Sequence, residues 1–225
     1  MKMSLFAPLN LNMVIMLLIT FLLVQTDIAE WLDLEKAPRA LRILTYNTRF
    51  GRCFNDLIDK FGLDLERVGN VISAMKPEYA GIQEVDRNNT CSEKKDQIRE
   101  LEKMTGLHSC HGKIIDLGGD EYGIGVLSIE NAISVKSITL PTRGEPDKAL
   151  IEIEFEDFVF FNTHLSLTVE FCVVTADITK YEMTRFHKPI ILTGDFNIFS
   201  SKEFINLFGK KRIVISSDES SWPAD

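Results

Sequence analysis

Four short apolar runs in this chain each end on a polar side chain, and that pattern narrows the fold more than any other feature. The runs stop at Asn47, at Glu84, at His164, and at the pair Asp195 and Asn197. An apolar run of this length reads as a buried strand, so each polar group sits where a strand leaves the core. The sharpest case is Gly194-Asp195-Phe196-Asn197, which follows the run from Lys188 to Thr193. The glycine permits close backbone approach. Asp195 can accept a proton or help hold a metal-bound water, and Asn197 can donate a hydrogen bond to a phosphate oxygen. Each residue has a plain reading when taken alone. Gly-Asp-x-Asn and Asn47 suit turns, Glu84 suits a salt-bridged rim, and His164 suits a satisfied core histidine. Shared placement is what points to chemistry. A carboxylate such as Glu84 is rarely buried without a partner, and Mg²⁺, which favours oxygen ligands and keeps several waters, would supply one.

The rest of the chain alternates between two periods. Leu41 to Asn47 predicts a strand, residues 63–75 a helix ended by Pro77, and Tyr79 to Val85 a second buried strand. Residues 93–105 predict an amphipathic helix stopped by Gly106. Strands are expected at 122–129, 133–140, 149–155 and 158–163, the last two joined by a hairpin at Glu156-Asp157. Residues 169–187 carry a helical face but many β-branched residues, which lower helix propensity. Residues 190–193 return to strand. Helical crossovers mixed with hairpins indicate two packed sheets with outer helices. A chain of 225 residues is long enough for one substantial core. Its net charge of −8 disfavours long nucleic acid as a partner, although a local basic patch or a bound cation would still permit a nuclease.

The N-terminus reads as a separate region, residues 1–37, ahead of a domain at 38–225. Met13 to Val24 is almost wholly apolar, and residues 5–24 reach the length of a bilayer span. The expectation is a secretory signal or membrane anchor, with the chain exported or anchored; the alternatives are a buried N-terminal helix and a cytoplasmic protein. Cys53, Cys91, Cys110 and Cys172 show no Cys-x-x-Cys spacing, which leaves two disulfides or four buried thiols.

These residues, taken in order, resemble the endonuclease/exonuclease/phosphatase superfamily of Mg²⁺-dependent phosphoesterases, and most of all its bacterial metal-dependent hydrolases. The likeness runs from Leu41 to Asp225. Thr45-Tyr46-Asn47 looks like the first motif of that family, and Gly81-Ile82-Gln83-Glu84-Val85-Asp86 like the second. Glu121 to Ser128 looks like the central strand motif, with Ile124 where many members have Asn. Asn162-Thr163-His164-Leu165 and Gly194-Asp195-Phe196-Asn197 match the histidine motif and the most specific motif. The resemblance implies an α/β fold of the α+β kind, a two-layer β-sandwich flanked by helices as in DNase I-like phosphoesterases. It implies Mg²⁺, or Mn²⁺ in its place, bound by Glu84, Asn47 and Asp195. It implies catalysis by His164, Asp195 and Asn197 on a phosphoester substrate, either a small molecule or a lipid headgroup. Asn47, Tyr122 and Lys148 would contact substrate; a packed sheet tyrosine and a solvated lysine are the other readings of the last two.

Relatives close with an Ile-Asp-Tyr strand and a Ser-Asp-His motif. Here Ser217-Asp218 is followed by Glu219, and Ser220 to Asp225 resembles the stretch that precedes the Ile-Asp-Tyr strand. The resemblance therefore implies a sheet without its last two strands, with Leu41 to Tyr46 left as an open edge. An inactive fragment or binding protein that keeps part of the fold is the alternative to a phosphoesterase.

Overall fold

A computed structural model describes residues 17–20, 40–51, 64–89, 92–117, 120–144, 148–198 and 201–209. Two mixed sheets lie face to face with helices outside both. The first contains β1 (Leu17–Thr20), β2 (Leu41–Asn47), β3 (Tyr79–Arg87), β4 (His108–Leu117) and β5 (Asp120–Ser128), in the order β1-β2-β3-β5-β4. The second contains β6 (Ser134–Leu140), β7 (Lys148–Glu154), β8 (Val159–His164) and β9 (Ile190–Asp195), in sequential order. Each sheet has one parallel pair, β2 with β3 and β8 with β9; the other pairings are antiparallel. Parallel neighbours need a crossover. Helices α1 (Leu65–Met75) and α3 (Val169–Met183) supply the two crossovers, while α2 (Gln97–Thr105) follows β3 and α4 (Ser201–Phe208) follows β9.

Strand alternation divides the apolar residues into layers. Ile43, Tyr79, Ile124 and Val126 from the first sheet meet Ile151, Ile153, Phe155, Phe158 and Phe160 around the second. Fully burying each such side chain contributes roughly 1.5–3 kcal/mol. The opposite face of the first sheet, through Leu44, Ala80, Ile82, Val85 and Leu127, covers Val68 and Ile72 of α1 and Ile98 and Leu101 of α2. The outer face of the second sheet covers Cys172, Ala176 and Met183 of α3 and Phe208 of α4.

Local chemistry sets the helix ends. Asp64 and Asp96 cap α1 and α2 by accepting from the amides of Arg67 and Arg99. Helix α2 therefore starts at Gln97 and not near residue 93, and Glu93 and Lys94 stand at positive φ before it. Gly106 closes it in the left-handed region at φ 73°. Helix α3 is regular despite its β-branched residues. Thr175 and Thr179 send their hydroxyls back to the Phe171 and Thr175 carbonyls at 2.8 Å each, so both are buried with their polar atoms satisfied.

The expectation of an apolar signal or membrane helix over residues 5–24 is overturned. Leu17–Thr20 forms a strand, antiparallel to β2, with Leu17 opposite Leu44 and Thr20 opposite Leu41. The edge expected to be open along Leu41 to Tyr46 is thus paired over Leu41 to Leu44. Among the described residues no helix is long and apolar enough to cross a membrane. The strand at Leu17–Thr20 contradicts the signal or transmembrane helix expected over residues 5–24, on which the membrane partner and the exported or anchored location rested. The physical reason is that a short apolar segment beside an unpaired strand edge satisfies its backbone there. Cys110 and Cys172 are thiols in the structure; Cys53 and Cys91 lie outside the described residues.

Candidate active site

The C-terminal ends of both parallel pairs meet at one place. Asn47 ends β2, Glu84 lies late in β3, His164 ends β8 and Asp195 ends β9. In open α/β sheets, strand carboxyl ends are where ligand crevices form.

Asn47 is the link between the sheets. Its Nδ2 donates to Glu84 Oε1 at 3.0 Å and to Asp195 Oδ2 at 2.9 Å, while its Oδ1 accepts from the Arg49 amide at 3.0 Å. One neutral carboxamide thus clasps two carboxylates from opposite layers. Glu84 reaches this position because the β3–β5 register shifts between Gln83 and Val85. The bulge puts Glu84 at φ 57°, in the left-handed region, and turns its side chain toward the strand ends. Thr48 holds the bulge by donating its hydroxyl to the Glu84 carbonyl at 2.8 Å.

On the other side of the clasp, His164 Nε2 lies 3.8 Å from Asp195 Oδ2 and 3.3 Å from Lys148 Nζ. His164 and Lys148 are both buried, at 3% and 5% exposure, so the sequence's alternative of a solvated Lys148 is excluded. A line of polar groups runs Lys148, His164, Asp195, Asn47, Glu84. Asp195 Oδ1 also accepts from the Asn197 amide at 3.1 Å, and Asn197 sits at φ 50°. The Asn197 carboxamide donates to the Leu165 carbonyl at 2.8 Å, which ties the loop after β9 to the loop after β8. Burial, and then the carboxylates of Glu84, Asp86 and Asp195, push the Tyr122 phenol well above the usual tyrosine range. It stays a neutral hydroxyl beside the acids, with its ring 5.2 Å from that of Phe50.

All seven side chains singled out in the sequence therefore fall in one region: Asn47, Glu84, Tyr122, Lys148, His164, Asp195 and Asn197. Thr48 and Phe50 were missed. Both lie within three residues after Asn47, and a polar strand end followed by a turn was the available signal.

Solved structures with the same arrangement of layers identify the fold. An endonuclease/exonuclease/phosphatase from Beutenbergia cavernae DSM 12333 matches with a TM-score of 0.58 and 23% identity, over 71% of this chain and 48% of that one. The chain has the endonuclease/exonuclease/phosphatase fold. Humanized D. rerio TDP2 matches with a TM-score of 0.52 and 17% identity, over 74% of this chain and 66% of its own. ANGEL2, a 2′,3′-cyclic phosphatase, gives 0.52 and 15% identity, over 72% and 54%. The chain thus spans about half of the Beutenbergia and ANGEL2 chains and about two thirds of TDP2. No family model and no curated protein matches the sequence.

Two carboxylates on one shared amide make an anionic, oxygen-rich spot, which suits a hard divalent cation. Among the described residues, no group of three or more His, Cys, Asp or Glu side chains is gathered for a metal. A cation here would take Glu84 and Asp195 and complete its shell with water and substrate, which is the habit of Mg²⁺. Asn47 could add an oxygen only by turning its carboxamide over and releasing the Arg49 amide.

Proposed function

We propose that this chain hydrolyses a phosphoester with the help of a divalent cation. The observation that carries the reading is the Asn47 clasp, which joins Glu84 and Asp195 across the two sheets with His164 next in line. Glu84 and Asp195 would hold Mg²⁺, or Mn²⁺ in its place, and the ion supplies charge neutralisation at the phosphoryl group.

The remaining work falls to side chains. Asp195 orients the attacking water and takes its proton. The water oxygen bonds to phosphorus as the ester P–O bond on the far side breaks, and the leaving oxygen takes a proton from solvent. His164 lies beside Asp195 and Lys148 beside His164, and the two meet the charge that grows on the phosphoryl oxygens. Tyr122, held neutral, donates from the opposite wall. Asn197 positions Asp195 through its backbone amide. The net charge of −8 favours a small phosphoester over long nucleic acid.

The test is hydrolysis of bis(p-nitrophenyl) phosphate by the full chain with Mg²⁺ and with EDTA. Asp195→Ala should lower Mg²⁺-dependent turnover by about 100-fold or more while leaving the thermal transition in place. Unchanged turnover in Asp195→Ala, or none in the parent chain, refutes the reading.

A further inference from the structure

One layer below the strand ends is a second polar cluster, between the two sheets. Gln83, Asn162 and Thr193 are each 3% exposed or less. Gln83 Nε2 donates to Asn162 Oδ1 at 2.6 Å and to Thr45 Oγ1 at 3.1 Å. Thr193 Oγ1 donates toward the same Asn162 oxygen and the Phe161 carbonyl, at 3.2 Å each. Asn162 Nδ2 then crosses from β8 to the other sheet and donates to the Ile82 and Gly125 carbonyls at 3.0 and 2.9 Å. Ile82 and Gly125 face each other in the β3–β5 ladder. A single carboxamide thereby pins the second sheet to a fixed rung of the first.

The membership of this cluster follows the site strand by strand. Thr45 precedes Asn47 by two residues, Asn162 precedes His164 by two, and Thr193 precedes Asp195 by two, in each case on the same face of the strand. Gln83 directly precedes Glu84 at the bulge. Every strand that carries a member of the Lys148-to-Glu84 line, except β7, has one residue in the cluster.

We propose that Thr45, Gln83, Asn162 and Thr193 are positioning residues, which set the relative place of Asn47, Glu84, His164 and Asp195 by fixing the register between the sheets. The inference rests on the phosphoesterase reading for its kinetic consequence but not for its structural one. Apolar faces hold sheets together without choosing a unique offset, because burial is non-directional. Hydrogen bonds between fixed amides do choose one, since they weaken steeply with distance and angle. The Asn47 clasp spans both sheets, so an offset between them opens it. Catalytic groups must be held within about 0.5 Å of their productive places. Packing alone would be met more cheaply by apolar side chains, which carry no desolvation cost.

Thr193→Val keeps the shape of the side chain and removes its hydrogen bonds, whereas Thr193→Ser keeps them. The direct readout is the pair of Asn47 side-chain amide proton signals in isotope-labelled full chain without metal. In Thr193→Val these signals should shift and broaden, and Thr193→Ser should restore them. With Mg²⁺ and bis(p-nitrophenyl) phosphate, Thr193→Val should lose about 10-fold in kcat with KM little changed, because a small misplacement acts on the reacting geometry. Thr193→Ser should recover most of that loss. A folded Thr193→Val with parental Asn47 signals and parental kcat overturns the proposal. If Thr193→Val fails to fold, Thr45→Val, which strips the oxygen facing Gln83, carries the same comparison. If the parent chain hydrolyses nothing yet the Asn47 signals answer to Thr193→Val, the positioning cluster stands and the phosphoesterase reading falls.

Discussion

Adding one methyl group at Gly81 should be among the most damaging small changes in this protein. A Cβ built there would lie 2.2 Å from Thr193 Oγ1, 2.6 Å from Asn162 Oδ1 and 2.8 Å from Asn162 Cγ. Neither neighbour has an easy retreat. Asn162 is held by the Ile82 and Gly125 carbonyls, and Thr193 by the Phe161 carbonyl. Overpacking a dense interior costs about 1–3 kcal/mol. Freeing even one buried donor or acceptor of the cluster adds about another 1–3 kcal/mol. With about 4 kcal/mol as the central value of the sum, and about 2–4 °C per kcal/mol for a chain of this size, Gly81→Ala should lower Tm by roughly 8–16 °C. Circular dichroism or calorimetry reads this directly. Gly106→Ala is the internal control: it meets nothing within 4 Å and pays only for its φ of 73°, about 1–2 kcal/mol. Removing the nearest oxygen as well, in Gly81→Ala/Thr193→Ala, should cost less than the sum of the single changes. A Gly81→Ala protein that melts with the parent, within about 1 °C, would refute the packing described around Asn162.

The left-handed backbone of Glu84 gives a second prediction: Glu84→Gly should be more stable than Glu84→Ala by about 1 kcal/mol in urea titration, the reverse of the usual order, because only glycine adopts φ 57° without strain. Equal stabilities would show that the bulge relaxes. Asp96→Ala should cost about 1 kcal/mol by removing the cap of α2, again read from the urea midpoint. Its ion pair with half-exposed Arg87 adds little, so Arg87→Ala should change the midpoint far less.

The strands and helices were legible wherever one period ran long enough. Tyr79 to Val85, the hairpin at Glu156-Asp157 and the helix stopped by Gly106 all declare themselves through local residues. β4 did not, because Ser109-Cys110-His111-Gly112-Lys113 mixes polar and small residues without a clear alternation. α4 was not read either, and Leu17–Thr20 was read as part of an apolar leader. Its strand character comes from its partner β2 and not from its own four residues. The strand-end residues of the site were visible because each breaks an apolar run. The cluster beneath them was not. Gln83 and Asn162 look like flaws in buried strands until a residue 79 positions away is brought to 2.6 Å. Long-range hydrogen bonds of that kind leave no periodic trace.

Sheet membership divides this chain cleanly at the link between β5 and β6. Everything described before that link builds one sheet, and everything described after it builds the other. Glu84 belongs to the earlier half and Asp195 to the later. Neither half holds both acids: the earlier keeps Glu84 on Asn47, and the later keeps Asp195 beside His164. Whatever the site does is therefore acquired in one step, when the halves dock, and is lost in one step when they part. A chain severed at residues 129–133 would be two inert pieces whose reassembly could be timed by the return of the Asn47 clasp.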